Sequence, residues 1–338
     1  MRDALSDIRV LDLSVNAPGP FTSMMLSDLG ATVTRIVNPA GTPQYASAQD
    51  DPMLATRGGP TDALNRGKSA VELNLKSVPG RDALLKLVEA ADVLISEMRP
   101  GKLEALNLGW ETLIGLNPKL ILCEITGYGP VGPLAARAGH DINYLALSGT
   151  LSLLRDGFGK PLPPQNVMGD YAAGGSLAVS GILAALYQRI STQKGQHLQV
   201  SMTDGIRYLV SDIAAATVLG GHPEEHWRGT LSGAMPTYAC YETSDGHWMA
   251  VGALEPKFIA VLSDVLAWPE LVDLMADKAR WPDARLGLEN RFVEKTRSEW
   301  EALFAPLDAC VTPILSLAEA AQSRWPDFAE VLGTSCET

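Results

Sequence analysis

The sequence lacks the short motifs that announce the commoner chemistries. The stretch after its first strand pattern carries no G-x-G-x-x-G between Gly19 and Gly30, and the chain has no Walker phosphate loop, no G-x-S-x-G and no H-E-x-x-H. That argues against nicotinamide chemistry at the first turn and removes the usual signatures of nucleoside triphosphatases, serine hydrolases and zinc peptidases. Cysteine is scarce. Its four copies, Cys123, Cys240, Cys310 and Cys336, show no C-x-x-C spacing, so neither a zinc site nor a disulfide framework is signalled. Positive charge is in deficit as well. The 338 residues hold 27 Lys+Arg against 39 Asp+Glu, a formal net charge of −12, which is a poor surface for nucleic-acid phosphates or anionic lipid.

What is present suits a packed enzyme. Hydrophobic residues make up 46 % and charged residues 20 %, enough apolar material for a core and too little charge for a disordered chain. The opening MRDALSDIRVLDLS places charges where a signal peptide needs an apolar run, which argues against export. Low-charge stretches such as 177–187 fall short of the ~20 residues that span a bilayer. The expectation is an acidic, cytoplasmic, reducing-compartment enzyme or enzyme subunit, with no nucleic-acid partner and no membrane insertion.

The first half alternates short apolar runs with helical patterns. Residues 8–13, 31–37, 71–75, 92–96 and 120–126 read as strands, and helices are expected before Gly30 (a C′ glycine) and over 80–90. Such alternation predicts an α/β fold with a mostly parallel sheet covered on both faces. Further on, a helix is expected over 176–189 and a strand over 197–201. A hairpin is expected around Ser244-Asp245-Gly246, with helices over 257–266 (stopped by Pro269) and 291–303. Residues 310–315 read as a last strand returning to the first domain. The segment 220–229, rich in Gly, His and Glu, reads as linker.

Three polar positions draw attention. His140 opens a helical pattern in Gly139-His140-Asp141-Ile142-Asn143-Tyr144. A histidine there meets the positive end of the helix dipole, which favours a neutral imidazole able to act as a base, and backbone N–H groups at that end can hold an enolate oxygen. From local sequence alone, simple capping or packing is the more ordinary explanation. Asp170, after Gly169 and before Ala172-Ala173-Gly174-Gly175, sits where backbone can approach a ligand; alternatively it N-caps the helix from Ser176. Glu255 follows an apolar strand, a poor place for an unpaired charge, unless it caps the next helix.

With these residues in view, the stretch from Ile8 to Leu315 resembles the class III coenzyme-A transferase and racemase family, CaiB/BaiF-like, and most of all its α-methylacyl-CoA racemase branch. The matching segments include Ala17-Pro18-Gly19-Pro20, Ser27-Asp28-Leu29-Gly30-Ala31, Arg99-Pro100-Gly101 and Leu108-Gly109. Thr126-Gly127-Tyr128-Gly129, residues 139–144 and 163–170, Lys194-Gly195-Gln196, 202–205, 252–258 and 308–313 complete the order. The resemblance implies a Rossmann-like large domain from residues 1–200 and 305–338, a smaller α+β domain over 225–300, a linker over 201–224 and an interlocked homodimer. It also implies His140 and Asp170 as catalytic residues, with Glu255 hydrogen-bonded to the histidine. By the same resemblance Asp141 would supply an oxyanion contact, and Lys68, Lys76, Arg99, Gly139 and Tyr144 would bind coenzyme A.

The chemistry so implied is epimerisation of 2-methyl-branched acyl-CoA thioesters. His140 and Asp170 would exchange the roles of base and acid on opposite faces of the α-carbon. No metal or redox cofactor is required, and coenzyme A is part of the substrate. Met168, Met202 and Met235 are candidates to line the acyl chain, with core packing the alternative. Asn38, Ser69 and Ala105 replace basic residues expected at the nucleotide end, and the chain ends at Thr338 without the tail that usually follows the last strand. A transferase using Asp170 as nucleophile, or a catalytically weak paralogue, are the other readings. The acyl group itself is not legible.

Overall fold

The structure, a computed structural model, describes residues 1–40, 62–156, 159–220, 230–322 and 328–331; most of the expected linker, 221–229, and Cys336 lie outside them. Two compact units separate. Residues 1–151, 162–211 and 326–338 form the first, and residues 152–161 and 212–325 the second.

The first unit is a doubly wound parallel sheet. Its strands are β1 (Arg9–Asp12), β2 (Thr32–Val37), β3 (Ser69–Glu72), β4 (Val93–Ser96), β5 (Ile121–Thr126) and β6 (Gln196–Ser201). They run parallel in the order β3-β2-β1-β4-β5-β6. Every residue of β4 and β5 is buried, as strands covered on both faces must be, so both are mostly apolar; the one charge in them, Glu124, meets His197 Nε2 at 2.6 Å. The helix Pro18–Asp28 starts on prolines whose missing N–H has no partner to lose. It ends before Gly30, whose φ of +102° no side-chain-bearing residue adopts cheaply. One face of the sheet packs around Leu26, Val93, Ile121 and Ile182, the other around Leu84, Leu94, Leu113 and Leu122.

Two expectations shift here. The strand expected at 71–75 lies at Ser69–Glu72, an exposed edge beside β2; Leu73 and Leu75 pack into the core after the strand has ended. The helix expected from residue 176 begins earlier, as a π-helical stretch Val167–Ser176 that runs into the α-helix Leu177–Thr192. Small residues permit the wide turn: a Cβ on Gly175 would stand 2.6 Å from the Phe21 ring. Asp170 is therefore inside the helical stretch and does not cap a helix at Ser176. Together, Val167–Thr192 is long and apolar enough by length and composition to cross a membrane, contrary to the expectation from shorter stretches. Its inner side, with Ala173, Val179 and Ile182, lies in the sheet's core.

The second unit carries an antiparallel sheet, β7 (Tyr238–Glu242), β8 (Trp248–Gly252) and β9 (Val311–Pro313), in that order. The expected hairpin is there, with Glu242 opposite Trp248 and Tyr238 opposite Gly252. The last strand does not return to the first unit: β9 pairs antiparallel with β8, Val311 opposite Val251. Residues up to 325 accordingly group with the second unit, and 201–211 with the first, which differs from the expected boundaries. The helix expected over 291–303 is two, Trp281–Phe292 and Arg297–Phe304. Thr296 starts the second with a capping box: its hydroxyl accepts from the Glu299 N–H at 3.3 Å and the Glu299 carboxylate accepts from the Thr296 N–H at 2.8 Å. The core here is aromatic, with Phe292 stacked on Tyr241 at 5.2 Å between ring centroids and tilted against Trp300.

Candidate active site

The strand order reverses between β1 and β4, and in an open α/β sheet ligands sit beyond the carboxyl ends of the strands at that reversal. A cavity of about 240 Å³ opens there, lined wholly by the first unit. Asn16 and Pro18 come from the chain leaving β1, Glu97 and Arg99 from the chain leaving β4, and Gly127 and Tyr128 from the chain leaving β5. His140, Tyr144 and Asp170 close it from the elements that follow.

His140 is the N-cap of the helix Asp141–Ser148, with extended backbone (φ −128°, ψ 175°). Its N–H donates to Asn143 Oδ1 at 3.0 Å, and its side chain is exposed. The first amides of the helix have no partner within it, so the Asp141 N–H stands among donors free of the helical ladder. Asp170 is half-buried on the π-helical stretch. Its Oδ2 accepts from Asn166 Nδ2 at 3.1 Å, and its backbone N–H donates to Asp141 Oδ1 at 2.8 Å. Burial pushes the Asp141 carboxyl above the usual carboxylate range, against the pull of the Asp170 and Gly169 N–H groups.

Two tyrosines shape the wall between them. Tyr144 donates its hydroxyl to the Gly139 carbonyl at 2.5 Å, and its ring meets Tyr128 edge-on at 5.0 Å. A Cβ on Gly139 would stand 2.4 Å from the Tyr128 hydroxyl, so glycine is demanded there by packing. Burial raises the Tyr144 hydroxyl well above its ordinary value, which keeps it a donor. Gly127-Tyr128-Gly129-Pro130-Val131-Gly132 does have G-x-G-x-x-G spacing after a strand. No helix opens from it, however; the next begins at Asp141. The pyrophosphate-binding context of that motif is missing.

Of the expected site residues, His140, Asp170, Arg99, Gly139 and Tyr144 line one cavity, with Asp141 buried beside it. Lys68 does not line it: its ammonium is turned inward, donating to the Pro20 carbonyl at 2.8 Å and Ser23 Oγ at 2.6 Å. Lys76 is exposed on the turn after β3, outside the cavity lining. Glu255 belongs to the second unit, as the exposed N-cap residue of Pro256–Val265. Met202 lines the cavity, Met168 packs against the first core, and Met235 is buried in the second.

Two charged lining residues escape the sequence reading, Glu97 and Arg137. Glu97 Oε2 accepts from the N–H groups of Val15 at 3.0 Å and Asn16 at 2.7 Å, and its Oε1 accepts from Gly19 at 2.6 Å. Burial nonetheless pushes its carboxyl up to about 7. The only signal is a charge at the end of a short, mostly apolar strand pattern, Val93-Leu94-Ile95-Ser96.

Sheet order, reversal point and cavity together define a doubly wound α/β protein that takes its ligand at the strand ends. Comparison with known proteins gives the particular family. The chain belongs to CoA-transferase family III, whose model matches residues 5–333. It is 38 % identical over 317 residues to the alpha-methylacyl-CoA racemase of Mus musculus, covering 94 % of this chain and 79 % of that one. It is 31 % identical over 325 residues to the succinyl-CoA:glutarate CoA-transferase of Mus musculus, covering 93 % and 73 %. A crystal structure of a CAIB/BAIF family protein from Brucella suis superposes with a TM-score of 0.79 at 26 % identity, over 96 % of this chain and 86 % of that one. The parallel sheet and small antiparallel sheet are thus those of this enzyme family.

Proposed function

We propose that the protein interconverts the 2R and 2S epimers of 2-methyl-branched acyl-CoA thioesters by 1,1-proton transfer. The observation that carries this reading is that His140 and Asp170, on separate elements, line the same cavity. An α-proton beside a thioester carbonyl is weakly acidic, though more acidic than in an oxygen ester because sulfur delocalises poorly into the carbonyl. One residue removes it as base, the other returns a proton to the opposite face, and the roles reverse with the epimer bound. Charge building on the thioester oxygen is met by the Asp141 N–H at the start of its helix. Glu255 as the partner that fixes the imidazole tautomer, and an interlocked homodimer, belong to the same reading and rest on the family resemblance.

The second reading is coenzyme-A transfer. In it the Asp170 carboxylate attacks the thioester carbonyl, coenzyme A leaves as thiolate, and a mixed anhydride forms at Asp170. The 31 % identity to a succinyl-CoA:glutarate transferase favours it, and the histidine at position 140 favours epimerisation. One experiment separates them: a single epimer of a 2-methylacyl-CoA is incubated with and without a free carboxylic acid. Appearance of the other epimer without acceptor supports the racemase. Formation of the acceptor's coenzyme-A thioester with release of the free 2-methyl acid, and hydroxylamine trapping the anhydride at Asp170, overturns it.

A further inference from the structure

Asp141 ties together the two elements that bear His140 and Asp170. It follows His140 directly in the chain and is 6 % exposed. Its Oδ1 accepts the Asp170 N–H at 2.8 Å, while its Oδ2 is buried with no hydrogen-bond partner among the described residues. A half-satisfied buried carboxyl is a costly arrangement, and the chain accommodates it with a glycine. A Cβ on Gly169 would stand 2.3 Å from Asp141 Oδ1, so only glycine at 169 lets the contact form. Burial raises the Asp141 carboxyl, which weakens any role that needs its charge and leaves the role of its acceptor oxygen.

We propose that the Asp141 side chain is a positioning residue for the proton transfer, fixing the backbone at Asp170 relative to the helix that carries His140. This rests on the racemase reading. A two-base reaction needs both bases aligned on one α-carbon, and a misplacement of about 1 Å can cost a hundredfold in rate. The Asp141–Asp170 contact, with Asn166 on the Asp170 carboxylate, holds one of the two.

The test compares the full-length wild type with Asp141→Ala, Asp141→Asn, Gly169→Ala and the Asp141→Ala/Gly169→Ala pair. Each is assayed for α-proton exchange from either epimer in deuterated water and for exchange of the Asp170 backbone amide. Asp141→Ala should lower kcat about a hundredfold with KM little changed, and should shift the ratio of exchange between the two epimers, because the hydrogen bond lost is the one from the Asp170 N–H. Asp141→Asn keeps the acceptor oxygen and should restore most of the rate. Gly169→Ala should behave as Asp141→Ala does, and the pair should be no worse than either alone, since all act through one contact. The 170 amide should exchange faster in the Ala variants while amides of β4 and β5 keep their protection. An unchanged epimer ratio together with an unchanged 170 amide would overturn the inference and leave the racemase reading standing. A wild type that exchanges no α-proton, beside a loosened 170 amide in Asp141→Ala, would overturn the racemase reading and reduce the contact to a structural brace.

Discussion

Lys68 and Asp12 form a closed ion pair: Nζ stands 3.6 Å from Oδ2, with the side chains 0 % and 1 % exposed. Ser23 Oγ also hydrogen-bonds the same carboxylate, so the pair anchors the helix after β1. Burial lowers the Lys68 ammonium to about 8 in spite of Asp12. Removing one member of a buried pair strands the other charge, at a cost of about 3–5 kcal/mol. Lys68→Ala should therefore lose about that much unfolding free energy in urea, with only a small change in KM where it stays folded. A variant of unchanged stability with a greatly raised KM would return Lys68 to ligand binding.

Glu97 gives a pH dependence of defined sign. Its folded carboxyl is raised from 4.5 to about 7, so between those values the folded state binds more protons than the unfolded state. Its stabilising contribution is complete below about 4.5 and is lost as pH rises through about 7. Relative to Glu97→Gln, the wild type should lose on the order of 2–3 kcal/mol of stability across that window. Denaturant unfolding at pH 4.5, 6 and 7.5 measures the difference. Parallel pH profiles for the two proteins would contradict it.

A third prediction concerns Asn38, Ser69 and Ala105, where the family resemblance leads one to expect cations for the nucleotide of coenzyme A. Ser69 donates its hydroxyl to the Val33 carbonyl at 3.2 Å, Asn38 accepts from the Ala40 N–H at 3.1 Å, and Ala105 is exposed. None presents a cation, and Lys68 is turned inward. Free coenzyme A should bind with a Kd weaker than micromolar (about −8 kcal/mol), and a truncated pantetheine thioester should keep most of the rate. Asn38→Arg should tighten coenzyme A several-fold by calorimetry through a charge-assisted bond. Sub-micromolar binding to the wild type would contradict this.

How far the sequence carried the account depended on whether a feature is local. β4 and β5 were legible because both faces are buried, so Val93 to Ile95 and Ile121 to Cys123 read as apolar runs without alternation. His140 at a helix start and Gly30 beyond a helix end were legible because capping is a matter of neighbouring residues. β3 was misplaced because an exposed edge strand has no apolar pattern to show. The pairing of β9 with β8 joins residues some sixty positions apart, which no local pattern reports. The inward turn of Lys68 and the three backbone donors on Glu97 are likewise tertiary facts. A charge beside a β-strand end could belong to ligand or to protein, and only the fold decides.

In the proposed reaction His140 and Asp170 move a proton between opposite faces of one α-carbon. The most direct measurement incubates one epimer of a 2-methylacyl-CoA with the protein in deuterated water and follows α-deuteration and inversion by NMR. The wild type should deuterate the α-carbon and form both epimers. His140→Ala and Asp170→Ala should each lower inversion by about 10²–10⁴-fold while remaining folded. A wild type that leaves the α-proton in place, or a folded single variant that inverts at the wild-type rate, would contradict the account.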